Sequence, residues 1–255
     1  MNINSNLYTF GFASIMVIVV AALLSITALS LQDRQDRNVE LEKKQNILNS
    51  VKESFSREDS EKQFERLIKE SVVLDFKGNK IEGGTAFDID IAKELKKDPK
   101  DQMYPLNIYE KEGSKRFIIP LRGKGLWGPI WGYIAIENDF NKVYGAVFDH
   151  KSETPGLGAE INTNDFQKYF EGKEIYNKKG EFVSISDLKG VITDGDMHSV
   201  SGIAGGTITS DGVSDMLYER LEKYLPYFEK CQSELELEEM KSLLDTTQNN
   251  NDSIQ

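Results

Sequence analysis

The sequence predicts an α+β protein with one apolar helix at its N-terminus. An uncharged run extends from Tyr8 to Leu31, which is long enough to cross a bilayer as a helix. After it, short apolar strands and helical stretches mingle without the regular βαβ alternation of a parallel sheet. No internal repeat is apparent, so the 255 residues are expected to form one sizeable core with appendages.

The composition excludes several classes of function. A net charge of −11 and a pI near 4.9 argue against a nucleic-acid partner, because phosphates require a basic face. The single cysteine, Cys231, rules out an internal disulfide framework and a Cys-based metal or iron–sulfur site. The two histidines, His150 and His198, are too few for most His-rich metal sites, so no metal is predicted.

The apolar run Tyr8–Leu31 predicts a membrane anchor behind a short polar lead, residues 1–7. The alternative is a cleaved signal peptide. Against it, the lead has no Lys or Arg and the run is longer than the usual apolar region of such peptides. Arg34 and Arg37 follow the span and would place the next domain in the cytoplasm by the positive-inside rule, although long domains translocate largely regardless of charge.

Two helices are expected after the anchor. Residues 39–52 carry a narrow apolar stripe at helical spacing, which predicts a stalk that lifts the domain from the membrane. Ser60 followed by Gln63 is a capping-box pattern, which predicts that a second helix opens at Ser60.

Turn sequences divide the middle of the chain into strands. Lys77-Gly78-Asn79 is one turn, and Glu112-Gly113-Ser114 is expected to close a hairpin. The predicted strands are residues 72–76, 106–109, 116–121, 130–136 and 143–148.

The rest of the chain is predicted to alternate short helices and short strands. Asn162 or Thr163 is expected to cap a short helix. Pro226 is expected to end or bend the last helix, and the Asn/Gln/Asp-rich tail from Thr246 is expected to be disordered. Short strands are expected around residues 175, 182–183 and 191–192.

The stretch Ser201–Val213 holds four glycines and the hydroxyl side chains of Thr207, Thr209 and Ser210. An apolar set at helical spacing follows, so Thr209 or Ser210 is expected to cap a helix with Asp211 in its first turn. A glycine-containing loop that enters a helix N-terminus favours a bound phosphate. The alternative is a plain turn before a capped helix, and neither a Walker loop nor a GxGxxG pattern is present.

Two further segments are candidates for a binding site. Residues 123–132 form a glycine-rich turn with Trp127 and Trp131, which alone would indicate tryptophans packed on the core. Residues 149–158 contain Pro155-Gly156 and Leu157-Gly158, which alone would indicate a surface turn. In this segment His150 is interpreted as a hydrogen-bonded loop residue rather than as a proton relay.

The three segments resemble, in order, those of two related FMN-binding proteins, the C subunit of the sodium-translocating NADH:quinone oxidoreductase and the G subunit of the Rnf complex. Residues 205–210, Gly-Gly-Thr-Ile-Thr-Ser, are similar to the family's Ser-Gly-Ala-Thr-x-Thr-Ser segment. Residues 153–158, Glu-Thr-Pro-Gly-Leu-Gly, are similar to the corresponding family loop, and the Gly-Lys-Gly-Leu-Trp order at 123–127 is similar to the segment before its central strands.

The resemblance implies a covalent cofactor. A flavin transferase would join FMN to Thr207 by a phosphoester. Trp127 would lie against the flat isoalloxazine ring, Leu157 would also contact its face, and Glu153 and Thr154 would meet the ring edge. The further cofactor contacts that it implies are Gly158, Gly205, Gly206, Ile208 and Thr209. No residue of this chain is expected to be catalytic.

The chain departs from the family motif at three positions. Ser201 stands where the family usually has Asp, Ala204 where it has Ser, and Gly206 where it has Ala. A flavin transferase that requires the Asp would modify this chain poorly.

The implied function is electron relay inside a six-subunit sodium-pumping complex of a bacterial inner membrane, with the large domain on the periplasmic side. The alternatives are the flavin protein of the Rnf complex and a single-span extracytoplasmic binding module without a redox role. The expected organisation is a lead (1–7), an anchor helix (8–31), a helical stalk and domain entry (32–70), the FMN-binding α+β domain (71–230) and an acidic, partly disordered tail (231–255).

Overall fold

A computed structural model describes residues 6–188 and 195–252. The chain divides into two compact units, Met1–Lys44 and Gln45–Gln255. Helix α1, Asn6–Ser50, begins in the first unit and ends in the second. The anchor helix predicted over residues 8–31 and the stalk helix predicted over residues 39–52 are therefore one helix. The polar residues between them include no Gly or Pro that would break it. Among the described helices, only α1 is long and apolar enough to span a membrane. Its most apolar stretch is fully exposed.

Helix α2, Arg57–Leu67, begins one turn before the predicted position. Its N-cap is Ser56, whose hydroxyl accepts a hydrogen bond from the Asp59 N–H at 3.1 Å. Ser60, predicted as the cap, is instead buried inside the helix, where its hydroxyl donates to the Ser56 carbonyl at 2.7 Å. The acidic residues Glu58 and Asp59 in the first turn also favour this earlier start.

The domain is built on a six-stranded antiparallel sheet with the strand order β2-β1-β3-β4-β5-β6. A two-residue turn, Glu112-Gly113, joins β3 to β4, and both residues have positive φ, at 53° and 78°. That is the geometry of a type I′ hairpin turn, which confirms the prediction. The strands are β1 (Ile68–Leu74), β2 (Lys80–Ile81), β3 (Tyr104–Lys111), β4 (Ser114–Lys124), β5 (Pro129–Glu137) and β6 (Val143–His150).

Between β2 and β3 lie a 3-10 turn, Ala86–Asp88, and the short helix α3, Ile91–Glu94. After β6 come a 3-10 turn, Gly158–Asn162, and helix α4, Asn164–Lys168, which Thr163 caps as predicted. The strand β7, Ser186–Leu188, pairs in parallel with β8, Ser199–Ser201. The strands expected near residues 175 and 182–183 form only isolated bridges, and residues 191–192 lie outside the described part of the chain.

Helix α5, Thr207–Leu221, is followed by a 3-10 turn, Glu222–Tyr224, and by helix α6, Leu225–Asp252. The helix that follows the glycine-rich stretch, α5, ends at Leu221, shortly before Pro226, in line with the prediction that Pro226 ends or bends it. Pro226 itself lies in the first turn of α6, where its missing N–H removes no helical hydrogen bond. The structure also continues α6 as helix to Asp252, where the composition predicted a disordered tail.

Alternate residues of the central strands face two apolar clusters. Phe117 and Ile119 of β4 belong to the main core, which includes the buried residues of α5. Ile118, between them, belongs to a smaller cluster that includes Ile47 and Leu48 from the last turns of α1. Because successive side chains of a strand point to opposite faces, both faces of the sheet are covered. Antiparallel strands with helices on both faces confirm the α+β class.

Candidate functional site

The N-terminus of α5 is an open helix end. The helix begins at Thr207, its N-cap is Gly206, and no side chain caps it. Thr209 and Ser210, expected as caps, lie inside the first turn and are buried. No acidic residue lies in that turn, so the expected position of Asp211 is also wrong. The first N–H groups of a helix have no partner within it, so this end presents unpaired donors and the positive end of the helix dipole.

The buried hydroxyls of this turn form hydrogen bonds with other groups of the protein. Thr209 Oγ1 donates to Glu153 Oε2 at 2.7 Å. Ser210 Oγ accepts a hydrogen bond from the Ile203 N–H at 3.1 Å, which ties the preceding loop to the helix. Thr207 is half-buried and has no hydrogen-bond partner for its hydroxyl among the described residues.

The turn between β4 and β5 carries an exposed tryptophan. Gly125 N–H donates to the Gly128 carbonyl at 2.8 Å and closes the turn. Trp127 lies at its tip and is 64% exposed, so it does not pack on the core. Its backbone N–H donates to Glu153 Oε1 at 2.9 Å.

The loop that follows β6 contributes both buried and exposed groups. Glu153 is only 5% exposed, whereas Thr154 is exposed and Leu157 is 40% exposed. His150 Nδ1 accepts a hydrogen bond from the Glu153 N–H at 3.1 Å. His150 is thus the hydrogen-bonded residue that the simpler interpretation expected, and it fixes the backbone at Glu153.

These three segments meet at Glu153, although they are remote in the sequence. A Cβ at Gly125 would lie 2.5 Å from Glu153 Oε1, and a Cβ at Gly158 would lie 2.6 Å from Glu153 Oε2. A Cβ at Gly205 would lie 2.7 Å from Leu157 Cδ2, so the loop after β6 also packs against the loop before α5. Close approach at these positions leaves no room for a side chain, which explains why the segments are rich in glycine.

Two of the predicted cofactor contacts, Glu153 and Thr209, have buried side chains. Both carboxylate oxygens of Glu153 already have protein partners, Trp127 N and Thr209 Oγ1. The carboxylate therefore lies inside the site rather than at its rim, and Thr209 is likewise turned inward. Trp127, Leu157 and Ile208 are the large apolar side chains exposed on the assembled segments, together with Leu126.

A polar groove of about 560 Å³ lies elsewhere on the domain. It is lined mainly by amide side chains and by the outer strand β6, and of the three predicted segments only Asp149 reaches it. The exposed apolar side chains of the predicted segments, Trp127, Leu157 and Ile208, thus lie outside this groove.

Two residues of the site were missed from the sequence. Ile203 and Gly125 hold the loops through a backbone N–H and through the absence of a side chain, respectively. Neither role has a signal in the sequence, since each depends on a partner brought near by the fold.

Comparison with known proteins identifies the family. The model of the FMN-binding domain matches residues 125–222, a range that contains Trp127, Glu153 and Thr207. The crystal structure of the C subunit of Na(+)-translocating NADH-quinone reductase from Parabacteroides distasonis is 40% identical and has a TM-score of 0.71. The match covers 78% of this chain and 96% of that one.

The chain belongs to the NqrC family, the C subunits of the Na(+)-translocating NADH-quinone reductase.

Other members of the family agree over most of their length. The C subunit of Vibrio alginolyticus is 27% identical over 221 residues, which is 80% of this chain and 86% of that protein. The crystal structure of NqrC from Shewanella oneidensis has a TM-score of 0.67 at 24% identity and shows the same fold. These relatives are C subunits of the Na(+)-translocating NADH-quinone reductase, the first of the two kinds of protein that the sequence resembles.

Proposed function

We propose that this NqrC-family chain carries FMN as a phosphoester on Thr207 and serves as an electron relay. In this proposal its partners are the other subunits of a six-subunit Na+-translocating NADH:quinone reductase, and a flavin transferase acts during its maturation. Residues 71–230 would form the FMN-binding domain, residues 8–31 the lipid-embedded anchor and residues 32–70 the stalk and domain entry.

The observation that carries this proposal is the state of the three hydroxyls at the open end of α5. Thr209 is 1% exposed and Ser210 is fully buried, and both hydroxyls have partners. Thr207 is the accessible hydroxyl of the three and lies at the first position of the helix. Only Thr207 is therefore free to become a phosphate ester without dismantling the site.

The attachment step is a phosphoryl-type transfer to an alcohol. The Thr207 Oγ would form a bond to the FMN phosphorus of a flavin dinucleotide supplied by the flavin transferase. The bond from that phosphorus to the second phosphate would break, and the departing nucleoside monophosphate would take up the hydroxyl proton. No electrons are exchanged in this step, so no oxidant is needed.

The residues present fit an FMN group. Uncapped N–H donors at the start of α5 suit the phosphate, which then needs no lysine or arginine beside it. The exposed faces of Trp127, Leu157 and Ile208 provide apolar walls for a flat ring, and the Thr154 side chain is exposed for a polar contact with its edge. Gly158, Gly205 and Gly206 allow the loops to close.

When bound, FMN supplies electron transfer, while the protein positions it and tunes its potential. No side chain of this chain needs to act as acid, base or nucleophile in the relay. Covalent attachment has a physical reason on the periplasmic side that we propose for the domain. A flavin released there would be diluted away, and no pool of free FMN would replace it. The relay would serve a complex that couples electron flow to sodium export.

In-gel fluorescence tests the attachment. The chain is expressed with an active flavin transferase, denatured, separated and viewed under ultraviolet light. We expect a fluorescent band that Thr207→Val abolishes and Thr207→Ser retains at least in part, because serine keeps the hydroxyl. A fluorescent band in Thr207→Val would move the attachment to another residue. A dark wild-type band, isolated from its own host, would refute the covalent relay.

A reporter fused after Gln255 tests the side of the membrane. Alkaline phosphatase is active only outside the cytoplasm. Green fluorescent protein fluoresces in the cytoplasm but not after export through the general pathway. We expect phosphatase activity without green fluorescence. The reverse pattern would place the domain in the cytoplasm, as the basic residues after the span suggest by themselves.

A further inference from the structure

The buried carboxylate of Glu153 is the junction of the three site segments. Its oxygens accept hydrogen bonds from Trp127 N, 26 residues before it, and from Thr209 Oγ1, 56 residues after it. Its own N–H donates to His150 Nδ1 at 3.1 Å. A buried carboxylate needs such partners, because transferring it from water without them is costly.

We propose that Glu153 is a positioning residue that clamps the Trp127 turn to the first turn of α5 and does so without touching the cofactor. The clamp sets the spacing between the ring wall at Trp127 and the attachment hydroxyl at Thr207, two residues before Thr209. This role adds a positioning residue to the proposed function. It rests on that function only for the statements about FMN.

The close packing of Gly125 and Gly158 confines the Glu153 carboxylate to one position. A Cβ at Gly125 would lie 2.5 Å from Oε1, and a Cβ at Gly158 would lie 2.6 Å from Oε2 and 2.5 Å from Thr209 Oγ1. The two glycines therefore pack on the carboxylate from two sides. A side chain confined in this way cannot also reach outward to a ring at the exposed face of Trp127.

Glu153 is the acceptor that each partner has among the described hydrogen bonds. Trp127 belongs to an exposed turn, and its N–H has Glu153 as its one acceptor among the described contacts. Truncation of Glu153 would leave the Thr209 hydroxyl buried without its acceptor. Loss of the carboxylate should thus free the turn while the sheet beneath it stays folded.

Hydrogen–deuterium exchange on the full chain in detergent tests the clamp without any flavin. In Glu153→Ala we expect exchange at the Trp127 amide to rise by about tenfold or more, since its acceptor is gone. Glu153→Gln should stay within about threefold of wild type, because its carbonyl can still accept from Trp127 while the Thr209 hydroxyl turns to accept from its amide. This rescue separates the geometry of the clamp from its charge.

Glu94 offers a matched control elsewhere in the domain. It is another buried glutamate, 7% exposed, and it accepts a hydrogen bond from the Met103 N–H at 2.9 Å. Glu94→Ala should speed exchange at Met103 and leave Trp127 unchanged. If Glu153→Ala does not fold, Glu153→Asp replaces it, because its side chain is one methylene too short to span both partners, and the same rise is expected. Unchanged Trp127 exchange in a folded Glu153→Ala or Glu153→Asp chain overturns the clamp.

Native fluorescence of the flavin-loaded chain tests the consequence for FMN. We expect Trp127 to quench the flavin, so Glu153→Ala should raise its emission towards that of Trp127→Phe. The double variant should add nothing further, because both changes remove the same contact. Additive rises would mean that Glu153 acts on the flavin directly and would overturn the clamp. A wild-type chain without flavin would refute the proposed function, and the exchange experiment would still decide the clamp.

Discussion

Helices α2 and α5 begin in opposite ways. At α2, Ser56 caps the helix and its hydroxyl accepts from the Asp59 N–H, with two acidic residues in the first turn. At α5, Gly206 occupies the cap position, no side chain caps the helix, and the first turn has no acidic residue. The first helix end is satisfied by the protein itself, whereas the second is left able to receive an anion.

This difference is informative because α5 has the residues for a cap nearby. Thr209 and Ser210 are good capping residues, but the fold engages one hydroxyl with Glu153 and the other with Ile203 N. An uncapped helix end costs stability, and it lies beside exposed apolar walls. An open end in this position is typical of a binding site.

The largest effect is expected from filling the space at Gly158. Gly158→Ala would place a methyl group 2.5 Å from Thr209 Oγ1 and 2.6 Å from Glu153 Oε2, which should cost about 2–3 kcal/mol in the free energy of unfolding. Denaturant titration of the full chain measures this loss. The control is Gly128→Ala, whose methyl group would meet nothing closer than Ser152 Oγ at 3.3 Å. Equal losses in both variants would show that Gly158 is not tightly packed.

The next effect concerns binding at the open end without attachment. Thr207→Val removes the acceptor hydroxyl but keeps the backbone donors of α5, so it should still bind FMN reversibly. At a concentration ten times the dissociation constant, FMN should stabilise this variant by about 1.4 kcal/mol, seen as a rise in melting temperature. Riboflavin, which lacks the phosphate, serves as the control. Equal stabilisation by both compounds would argue against a phosphate site at α5.

Removal of the cap of α2 should have a moderate effect. Ser56→Ala takes away the acceptor for the Asp59 N–H and should cost about 1 kcal/mol. The same denaturant titration measures it, with Ser56→Asn as a variant that retains a cap. A loss below about 0.3 kcal/mol in Ser56→Ala would remove the contrast between the two helix ends.

The smallest effect is expected at Thr207 in the flavin-free chain. Its hydroxyl has no partner among the described residues, and alanine is a better helix former, so Thr207→Ala should change stability by less than about 0.5 kcal/mol. A loss as large as that of Ser56→Ala would mean that Thr207 has a structural role, and its availability as an attachment site would then be doubtful.

Local patterns predicted the elements whose cause is local. The turn Glu112-Gly113 follows from the need for positive φ at both positions, and the cap at Thr163 follows from its own side chain. The long apolar helix at the N-terminus follows from a long uncharged run. By contrast, the start of α2 was placed one turn late, because the prediction followed the capping-box pattern at Ser60, although Glu58 and Asp59 favour a start after Ser56.

The site was found from the sequence only as three separate segments and by resemblance. Residue identities indicated a phosphate at the glycine-rich stretch and a planar wall at Trp127. They did not indicate that Glu153 lies inside the site, because its partners are 26 and 56 residues away. The prediction of a helix cap at Thr209 or Ser210 was wrong. At Thr209 the reason is the same, because its hydroxyl donates to the remote Glu153 carboxylate.

Amino-acid order alone was sufficient for the long apolar helix, the hairpin at Glu112-Gly113, the α+β class and the family resemblance, because these depend on runs, periods and turns of neighbouring residues. Only the tertiary structure decided which hydrogen-bond partner each hydroxyl and carboxylate at the site has. Hydrogen bonds between distant segments exist only once the sheet has brought β4, β6 and α5 together, and they leave Thr207 as the accessible hydroxyl among the three.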